Sequence, residues 1–278
     1  MNNEVKQELK VIREAAELLI RIKECRPLIH HITNYVTMND CANAVLALGG
    51  SPIMAKDPSE VEEVVAMSKA LVLNMGTPDS NNFKSMILAG KIAKEMKIPV
   101  IFDPVGAGVT PFRREMCRKL LSDIKPDVIR GNISEIMYMA GKDGCSCGVD
   151  SNLDIDNAMG IVRGLAKDLN CVVAATGRKD LISDGSTAYI IENGHEMLSK
   201  ITGAGCMATS LAGTFCSVAE DYLKGTVGGI MVMGISGQLA NACLMPNEGI
   251  GMFKTRLFDN IYNLNRDIFM REGVVYAG

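Results

Sequence analysis

A glycine-rich turn that ends in a cysteine has residue types and spacing well suited to chemistry. Residues 201–206 read Ile-Thr-Gly-Ala-Gly-Cys and lead into an apolar segment that is typical of a buried helix. Gly203 and Gly205 have no Cβ, so the backbone can turn tightly and approach a ligand closely. The free amides and positive dipole end of the following helix favour an anion, and a thiol there, Cys206, tends to have a lowered pKa. An ordinary glycine turn before a core helix fits the same six residues.

Three other polar segments follow predicted strands, and each carries a group that suits phosphate or metal chemistry. Asp103 ends one strand, and Glu135 lies shortly after another. These two carboxylates could hold Mg²⁺ through water, since this ion uses one or two carboxylates together with phosphate oxygens. Arg130 could grip phosphate with its planar guanidinium, and Thr176, which Gly177 follows, could hydrogen-bond a phosphate or a ribose. Taken singly, the same residues also fit helix caps, surface acids, an ion pair and a strand-end hydroxyl.

The elements that must position these segments follow an alternating pattern. Strands alternate with helices through residue 175, which favours right-handed βαβ units and a largely parallel sheet. Ligands bind outside the carboxyl ends of such strands, where three of the segments fall, while the turn at 203–206 ends the hairpin region. After residue 175, Asp-Gly and Asn-Gly turns predict short strands that form an antiparallel edge. The predicted strands cover 28–33, 52–55, 71–74, 99–102, 127–130, 171–175, 181–183, 187–191 and 195–199.

In most of the remaining chain, apolar residues recur at the spacing of a helix. A helix is also predicted to start at Asp57, because Asp-Pro-Ser-Glu has the form of a helix cap. No repeat, low-complexity tract or linker interrupts the pattern, so residues 1–278 are expected to form a single domain. The other predicted helices cover 4–24, 38–48, 79–96, 112–123, 133–140, 154–169, 206–219, 226–244 and 255–271, and 141–152 is the longest predicted loop.

Composition argues against several classes of function. The 278 residues carry 29 basic and 32 acidic side chains without a basic block, so nucleic acid is not expected as a partner. Nine cysteines are scattered, mostly through apolar segments, which is typical of reduced thiols in a cytoplasmic protein. The close pair Cys145 and Cys147 lacks further ligands at zinc spacing. The stretch 226–245 contains Ser, Gln, Asn and glycines, which favours a buried helix over a membrane span.

Known catalytic motifs narrow the class of enzyme. The sequence has neither the GxxxxGK[ST] pattern of P-loop proteins nor the GxSxG pattern of α/β-hydrolases, and no early GxG is completed to GxGxxG. His30 and His31 could line a pocket at the end of a strand or lie in the core. His195, in a predicted hairpin, has no obvious partner.

The combination of segments resembles a known family. The set 103–108, 132–135, 176–177 and 202–206 is similar to the ribokinase-like superfamily. Within that superfamily, four further segments resemble hydroxyethylthiazole kinase: HHITNYV at 30–36, GSPIMA at 50–55, LNMGT at 73–77 and IRGN at 129–132. The resemblance runs in order from about residue 27 to residue 215, and outside those limits it is one of general character.

This resemblance implies a fold, an activity and an assembly. The fold would be a three-layer α/β/α arrangement around a nine-stranded, largely parallel sheet. The activity would be ATP-dependent phosphorylation of the primary alcohol of 4-methyl-5-(2-hydroxyethyl)thiazole in thiamine salvage. The assembly would be a homotrimer with active sites between subunits.

The resemblance also implies roles for individual residues. Met54, Gly203 and Asn34 would contact the thiazole, and Arg130, Thr176 and Gly177 would bind ATP. Asp103 and Glu135 would organise Mg²⁺. The residues Gly203, Ala204, Gly205 and Cys206 would form the catalytic turn, although the wider superfamily usually has aspartate as the base where Cys206 stands.

Three alternatives remain open at this point. One is another vitamin-precursor kinase of the superfamily, such as one acting on hydroxymethylpyrimidine. The second is a dehydratase of hydrated nicotinamide nucleotide. The third is a nucleotide-binding regulatory protein without turnover, against which the intact acidic residues and the Gly-Ala-Gly turn argue.

Overall fold

A central sheet organises the computed structural model, which describes residues 3–142 and 155–278. The described residues form a nine-stranded sheet in the order β2-β1-β3-β4-β5-β6-β7-β8-β9. Most of the predicted loop 141–152, with Cys145 and Cys147, lies outside the described residues. The strands are β1 (Leu28–Ile32), β2 (Ser51–Ile53), β3 (Ala70–Asn74), β4 (Val100–Asp103), β5 (Val128–Asn132), β6 (Val172–Thr176), β7 (Asp180–Ser183), β8 (Ala188–Ile191) and β9 (Val275–Ala277).

The pairing of the strands confirms the predicted sheet. Neighbouring strands from β2 through β6 pair in parallel, whereas β7, β8 and β9 continue the sheet in antiparallel pairs. In the parallel region, Asn74 pairs with Asp103, and Asn132 pairs with Thr176. Because all these strands end at the same rim, polar residues from different parts of the chain come together there.

Helices cover both faces of the sheet. Side chains of one strand alternate between the two faces, so Val72 packs into one core cluster while Leu71 and Leu73 pack into the other. This arrangement confirms the three-layer α/β/α prediction. The helices are α1 (Asn3–Cys25), α2 (Met38–Leu48), α3 (Val61–Met67), α4 (Ser80–Glu95), α5 (Pro111–Ile124), α6 (Ile133–Met139), α7 (Ile155–Leu169), α8 (Ala204–Cys216), α9 (Tyr222–Ala242), α10 (Ile250–Asn263) and α11 (Arg266–Glu272).

The apolar helix α9 lies buried against α8. A Cβ added at Gly229 would come within 2.3 Å of the Cα of Ala212, so the absence of a side chain allows the two backbones to approach closely. Most residues of α9 are buried, which confirms the prediction of a buried helix. In the described part of the chain, no helix has the length and apolar character needed to cross a bilayer.

The predicted strand 195–199 is wrong. Residues Glu196–Lys200 form a 3₁₀-helix, which His195 caps by accepting a hydrogen bond at Nδ1 from the amide of Met197 at 3.2 Å. The free edge of β8 is occupied by β9 instead. Strand β9 lies near the end of the chain, and nothing in its local sequence predicts that it pairs with β8. Because β9 fills this edge, residues 195–199 have no strand to pair with.

Several helix boundaries also differ from the predictions, and two of these differences have a local cause. The helix predicted over 255–271 is two helices, because Leu264 adopts an extended conformation and the side chain of Asn265 caps α11 by accepting from the amide of Ile268. The carboxylate of Asp57 accepts from the amide and hydroxyl of Ser59 in a turn, and α3 begins only at Val61.

Candidate active site

A cleft of about 1330 Å³ opens at the carboxyl ends of the parallel strands and at the first turn of α8. Its lining includes the apolar side chains of Leu198, Ile230 and Met233. Met54 does not line the cleft, since it follows β2 and packs, partly buried, against the core. Ten residues predicted to act do line it: Asn34, Asp103, Arg130, Glu135, Thr176, Gly177, Gly203, Ala204, Gly205 and Cys206.

The glycine-rich turn forms the N-terminal end of α8, as predicted. Gly203 adopts φ +90°, in the left-handed region, and a Cβ there would lie 2.8 Å from Cγ2 of Thr37. Within the described residues, the amides of Ala204, Gly205 and Cys206 donate to no backbone or side-chain acceptor. An unpaired set of amides at a helix start attracts an anion through both hydrogen bonding and the helix dipole.

Arg130 lies directly against this turn. A Cβ on Gly205 would come within 2.6 Å of Nη1 of Arg130, so the glycine leaves space that the guanidinium fills. Nη2 of Arg130 donates to the hydroxyl of Thr176, and Nη1 lies 3.9 Å from Oδ2 of Asp103. The arginine therefore bridges the ends of β4, β5 and β6 beside the free amides of α8.

Asp103 is fully buried at the base of the cleft. Its Oδ2 accepts hydrogen bonds from Nδ2 of Asn74 at 2.8 Å and from the hydroxyl of Thr209 at 2.7 Å. Its Oδ1 has no hydrogen-bond partner among the described residues. Burial raises the pKa of Asp103 to about 6, although the charge of Arg130 opposes this shift.

Glu135 joins two loops of the rim. It forms a capping box with Asn132: the Asn132 side chain accepts from the Glu135 amide, and Oε2 of Glu135 accepts from the Asn132 amide, both at 2.8 Å. Oε1 of Glu135 accepts from the amide of Gly106 at 2.7 Å. The carboxylate thus ties the loop after β4 to the start of α6.

The environment of Cys206 differs from the general expectation for a helix start. Its Sγ accepts hydrogen bonds from Nδ2 of Asn34 at 3.4 Å and from Nδ2 of Asn74 at 3.2 Å. Burial and the negative charge of Asp103 nevertheless raise the pKa of the thiol. The tendency toward a lowered pKa is therefore not realised, because the surrounding groups outweigh the helix dipole.

Sequence reasoning gave no role to several residues around the cleft. The carboxylate of Asp180 accepts from the amide of Gly177 at 3.0 Å, and burial raises the pKa of Asp180 to about 7, against the opposing effects of that hydrogen bond and of Arg130. The guanidinium of Arg113 donates to the carbonyls of Met75, Gly76 and Val105 at 2.7–2.8 Å, which joins the loops after β3 and β4.

Some residues around the cleft that received no role could have been recognised from their positions in the sequence. Asn74 ends a predicted strand, as Asp103 does, and Thr209 lies one helical turn beyond Gly205 on the same face of α8. Asp180 lies three residues after Gly177, the spacing at which an acidic side chain can reach back to a backbone amide. For Arg113 we find no such signal, since its acceptors are carbonyls of distant loops.

The histidines of β1 belong to the core rather than to the cleft. Nδ1 of His31 meets the carbonyl of Ile29 and Nε2 meets the hydroxyl of Ser210, both at 3.1 Å, and burial lowers the pKa of His31 to about 4. Nε2 of His30 lies 2.7 Å from the carbonyl of Ala55, and burial lowers the pKa of His30 as well. His195, in contrast, lines the cleft.

Comparison with known proteins agrees with this architecture. The model of the hydroxyethylthiazole kinase family matches residues 19–267. A hydroxyethylthiazole kinase from Alkaliphilus oremlandii is 48% identical over 268 residues, which cover 96% of this chain and 99% of the relative. The solved structure of hydroxyethylthiazole kinase from Pyrococcus horikoshii OT3 matches with a TM-score of 0.87 and 38% identity, over 95% of this chain and 99% of that chain.

A more distant structure shares the fold alone. The pyridoxal kinase from Staphylococcus aureus, solved in complex with pyridoxal, matches with a TM-score of 0.57 at 14% identity, over 75% of this chain and 86% of that chain. The family match spans nearly the whole chain, and most of the segments that carried the resemblance contribute residues to the cleft. The chain therefore belongs to the hydroxyethylthiazole kinase family.

Proposed function

We propose that this protein transfers the γ-phosphoryl group of ATP to the hydroxyl of 4-methyl-5-(2-hydroxyethyl)thiazole, in thiamine biosynthesis or salvage. One observation carries the proposal: the unpaired amides of α8, the guanidinium of Arg130 and the buried carboxylate of Asp103 converge in one cleft. Phosphoryl transfer needs little covalent participation by the protein and depends on positioning and electrostatic stabilisation. The family names the thiazole alcohol as the acceptor.

We assign the nucleotide to the part of the cleft around Arg130, Thr176 and Gly177. Arg130 presents a planar fork of donors, which suits phosphate oxygens better than a point charge does. The amides of residues 203–206 would stabilise the negative charge that spreads over the transferred group, because donors fixed in advance need not reorganise during the reaction.

The residues present fit a magnesium ion, which supplies the neutralisation of phosphate charge when it is bound. Oδ1 of Asp103 is buried without a protein partner, as expected for an oxygen reserved for another ligand. Both oxygens of Glu135 already accept backbone amides, so Glu135 would reach the ion through water. In the described parts of the chain, no group of three or more His, Cys, Asp or Glu side chains could enclose a metal ion. This suits an ion whose other ligands are phosphate and water.

The hydroxyl of the alcohol must lose a proton as it attacks the phosphoryl group. Cys206, at the end of the turn, is a candidate to accept this proton, but its raised pKa leaves little thiolate before the attack. In a loose transition state, proton transfer can follow most of the bond breaking, and the proton can then pass to an oxygen of the transferred phosphoryl group or to water, so a neutral thiol is compatible with turnover. We infer that Cys206 assists the reaction while the amides and the cations supply most of the catalysis.

We further propose a homotrimeric, cytoplasmic, single-domain enzyme whose pocket is completed by a second subunit. Asn34 lines the cleft of its own chain, whereas Met54 follows the edge strand β2 and lies outside that cleft. A site between subunits would bring Met54 of one copy toward the cleft of another. Activity that falls as the oligomer dissociates on dilution, followed by light scattering, would support this assembly, and a fully active monomer would contradict it.

The experiment that tests the activity is a coupled assay of ADP release with a panel of small alcohols. We expect release to depend on the thiazole alcohol and on Mg²⁺, with little release when hydroxymethylpyrimidine is the acceptor. Preference for hydroxymethylpyrimidine would show that the acceptor is wrong. Nucleotide binding without ADP release for any alcohol of the panel would show that the protein does not phosphorylate these alcohols.

A further inference from the structure

The buried carboxylate of Asp103 is held by one oxygen only. Oδ2 accepts from Asn74 Nδ2 at 2.8 Å and from Thr209 Oγ1 at 2.7 Å, and Arg130 Nη1 lies 3.9 Å away. Oδ1 has no such partner in the described residues. Two donors on one oxygen fix the rotation of the carboxylate, so the direction of the free oxygen is determined by residues outside the catalytic turn.

The orientation of the Asn74 amide is fixed by its surroundings. The amide of Gly76 can only donate, and it meets Oδ1 of Asn74 at 2.9 Å. Nδ2 of Asn34 donates to the same oxygen at 2.9 Å. The NH₂ group of Asn74 must therefore face the other way, where it donates to both Asp103 and Cys206. One buried side chain thus joins the ends of β1, β3 and β4 to the start of α8.

Thr209 is fixed in a similar way. Its side chain is fully buried in α8, and its hydroxyl also lies 3.2 Å from the carbonyl of Gly205, within the turn itself. Since a hydroxyl carries a single hydrogen, the short contact with Asp103 uses it, and the carboxylate is the stronger acceptor.

We propose that Asn74 and Thr209 are positioning residues that hold Oδ2 of Asp103 so that Oδ1 is directed to the magnesium ion that accompanies the phosphate. This inference rests on the proposed function, because the direction of Oδ1 matters only if the cleft binds magnesium with the nucleotide. Neither residue touches the substrate in this scheme, and both act through the carboxylate. Loss of either donor leaves Asp103 in place but free to rotate, so catalysis suffers more than substrate binding.

The test uses Thr209→Val, which keeps the shape of the side chain and removes only the hydroxyl. Thr214→Val is the matched control, because Thr214 is equally buried in α8 and its hydroxyl donates only to the carbonyl of Ser210. We expect Thr209→Val to lower kcat about tenfold or more, with KM for both substrates changed less than threefold. Thr214→Val should keep the kcat of the unaltered protein, and Thr209→Ser, which restores the hydroxyl, should recover most of the loss.

A binding measurement separates this proposal from the proposed function. The increase in melting temperature that ADP with Mg²⁺ causes is compared with the increase that ADP causes in EDTA. Thr209→Val should reduce the magnesium-dependent part and leave the part due to ADP alone. This readout stands even where no alcohol is phosphorylated, so failure of the kinase assay does not hide failure of the positioning role.

Asn74→Ala provides an independent test of the proposal. If both residues act through Asp103, the loss in kcat of the double variant with Thr209→Val will differ from the product of the single losses by threefold or more. A loss in kcat of the double variant that lies within about twofold of the product of the single losses would overturn the proposal. So would a Thr209→Val protein with normal kcat and a normal magnesium-dependent shift, or a Thr209→Ser protein as impaired as Thr209→Val.

Discussion

Asp180 carries a charge at a considerable cost in stability, and its replacement by asparagine should show this as a function of pH. The carboxylate is buried at the start of β7 and accepts one hydrogen bond from the amide of Gly177. Burial raises its pKa from 3.8 to about 7, while that hydrogen bond and Arg130 oppose the rise. Asparagine keeps an oxygen that can accept from Gly177, and it removes the charge.

The sign of the effect follows from proton binding. Between pH 3.8 and about 7 the folded protein holds a proton on Asp180 that the unfolded chain has released, so stability falls as pH rises through this window. Across the whole window the free energy of unfolding falls by roughly 4 kcal/mol, and about half of this fall has occurred by pH 5.5. Asp180→Asn should therefore be more stable than the unaltered protein at pH 8, by an advantage that shrinks steadily toward pH 4.

The assay is urea unfolding followed by far-ultraviolet circular dichroism at fixed protein concentration, since the sequence has no tryptophan. Asp184→Asn is a control of opposite sign: burial favours a higher pKa there, but hydrogen bonds from Thr187 and Ser186 outweigh it and lower the pKa of Asp184. That variant should be less stable than the unaltered protein at neutral pH, with a gap that closes on acidification. A gain for Asp180→Asn that is constant with pH, or that grows as pH falls, would refute the reasoning.

Three further predictions concern the cleft. Gly205→Ala should raise KM for ATP about tenfold in steady-state assays without weakening the fold, because the new Cβ would lie 2.6 Å from Nη1 of Arg130. Arg130→Ala should raise KM for ATP more than KM for the alcohol, and Arg130→Lys should recover only part; equal losses would indicate a structural role. Cys206→Ala should lose less than the roughly 10²–10⁴-fold expected on removal of an essential base, and Cys206→Asp should stay active; an inactive alanine variant that still binds ATP would make Cys206 the obligatory base.

The sequence predicted the parts of this protein that depend on local pattern. Asp103 and Thr176 end strands of a βαβ series, so the rule for parallel sheets was enough to bring them to one rim. The tight turn at Gly203 was likewise expected, because glycine adopts the left-handed conformation found there without a steric penalty. Residues of this kind are recognisable because their neighbours in the chain determine what they do.

Features that depend on distant contacts were missed. The strand β9 pairs with β8 across more than eighty residues, and this pairing displaces the strand expected at 195–199. The pKa of Cys206 depends on burial and on Asp103, which is about a hundred residues away in the chain. Asn74 ends a strand like many others, and only the contacts with three other segments distinguish it.

If the proposed function is correct, one cleft transfers a phosphoryl group from ATP to the thiazole alcohol. The most direct measurement is a single-turnover reaction with excess enzyme, MgATP and 4-methyl-5-(2-hydroxyethyl)thiazole, in which ADP, inorganic phosphate and the phosphate ester are all quantified. We expect one phosphate ester for each ADP formed, with inorganic phosphate at the level of the reaction without alcohol. ADP accompanied by inorganic phosphate instead of the ester, or no ADP despite bound ATP, would contradict it.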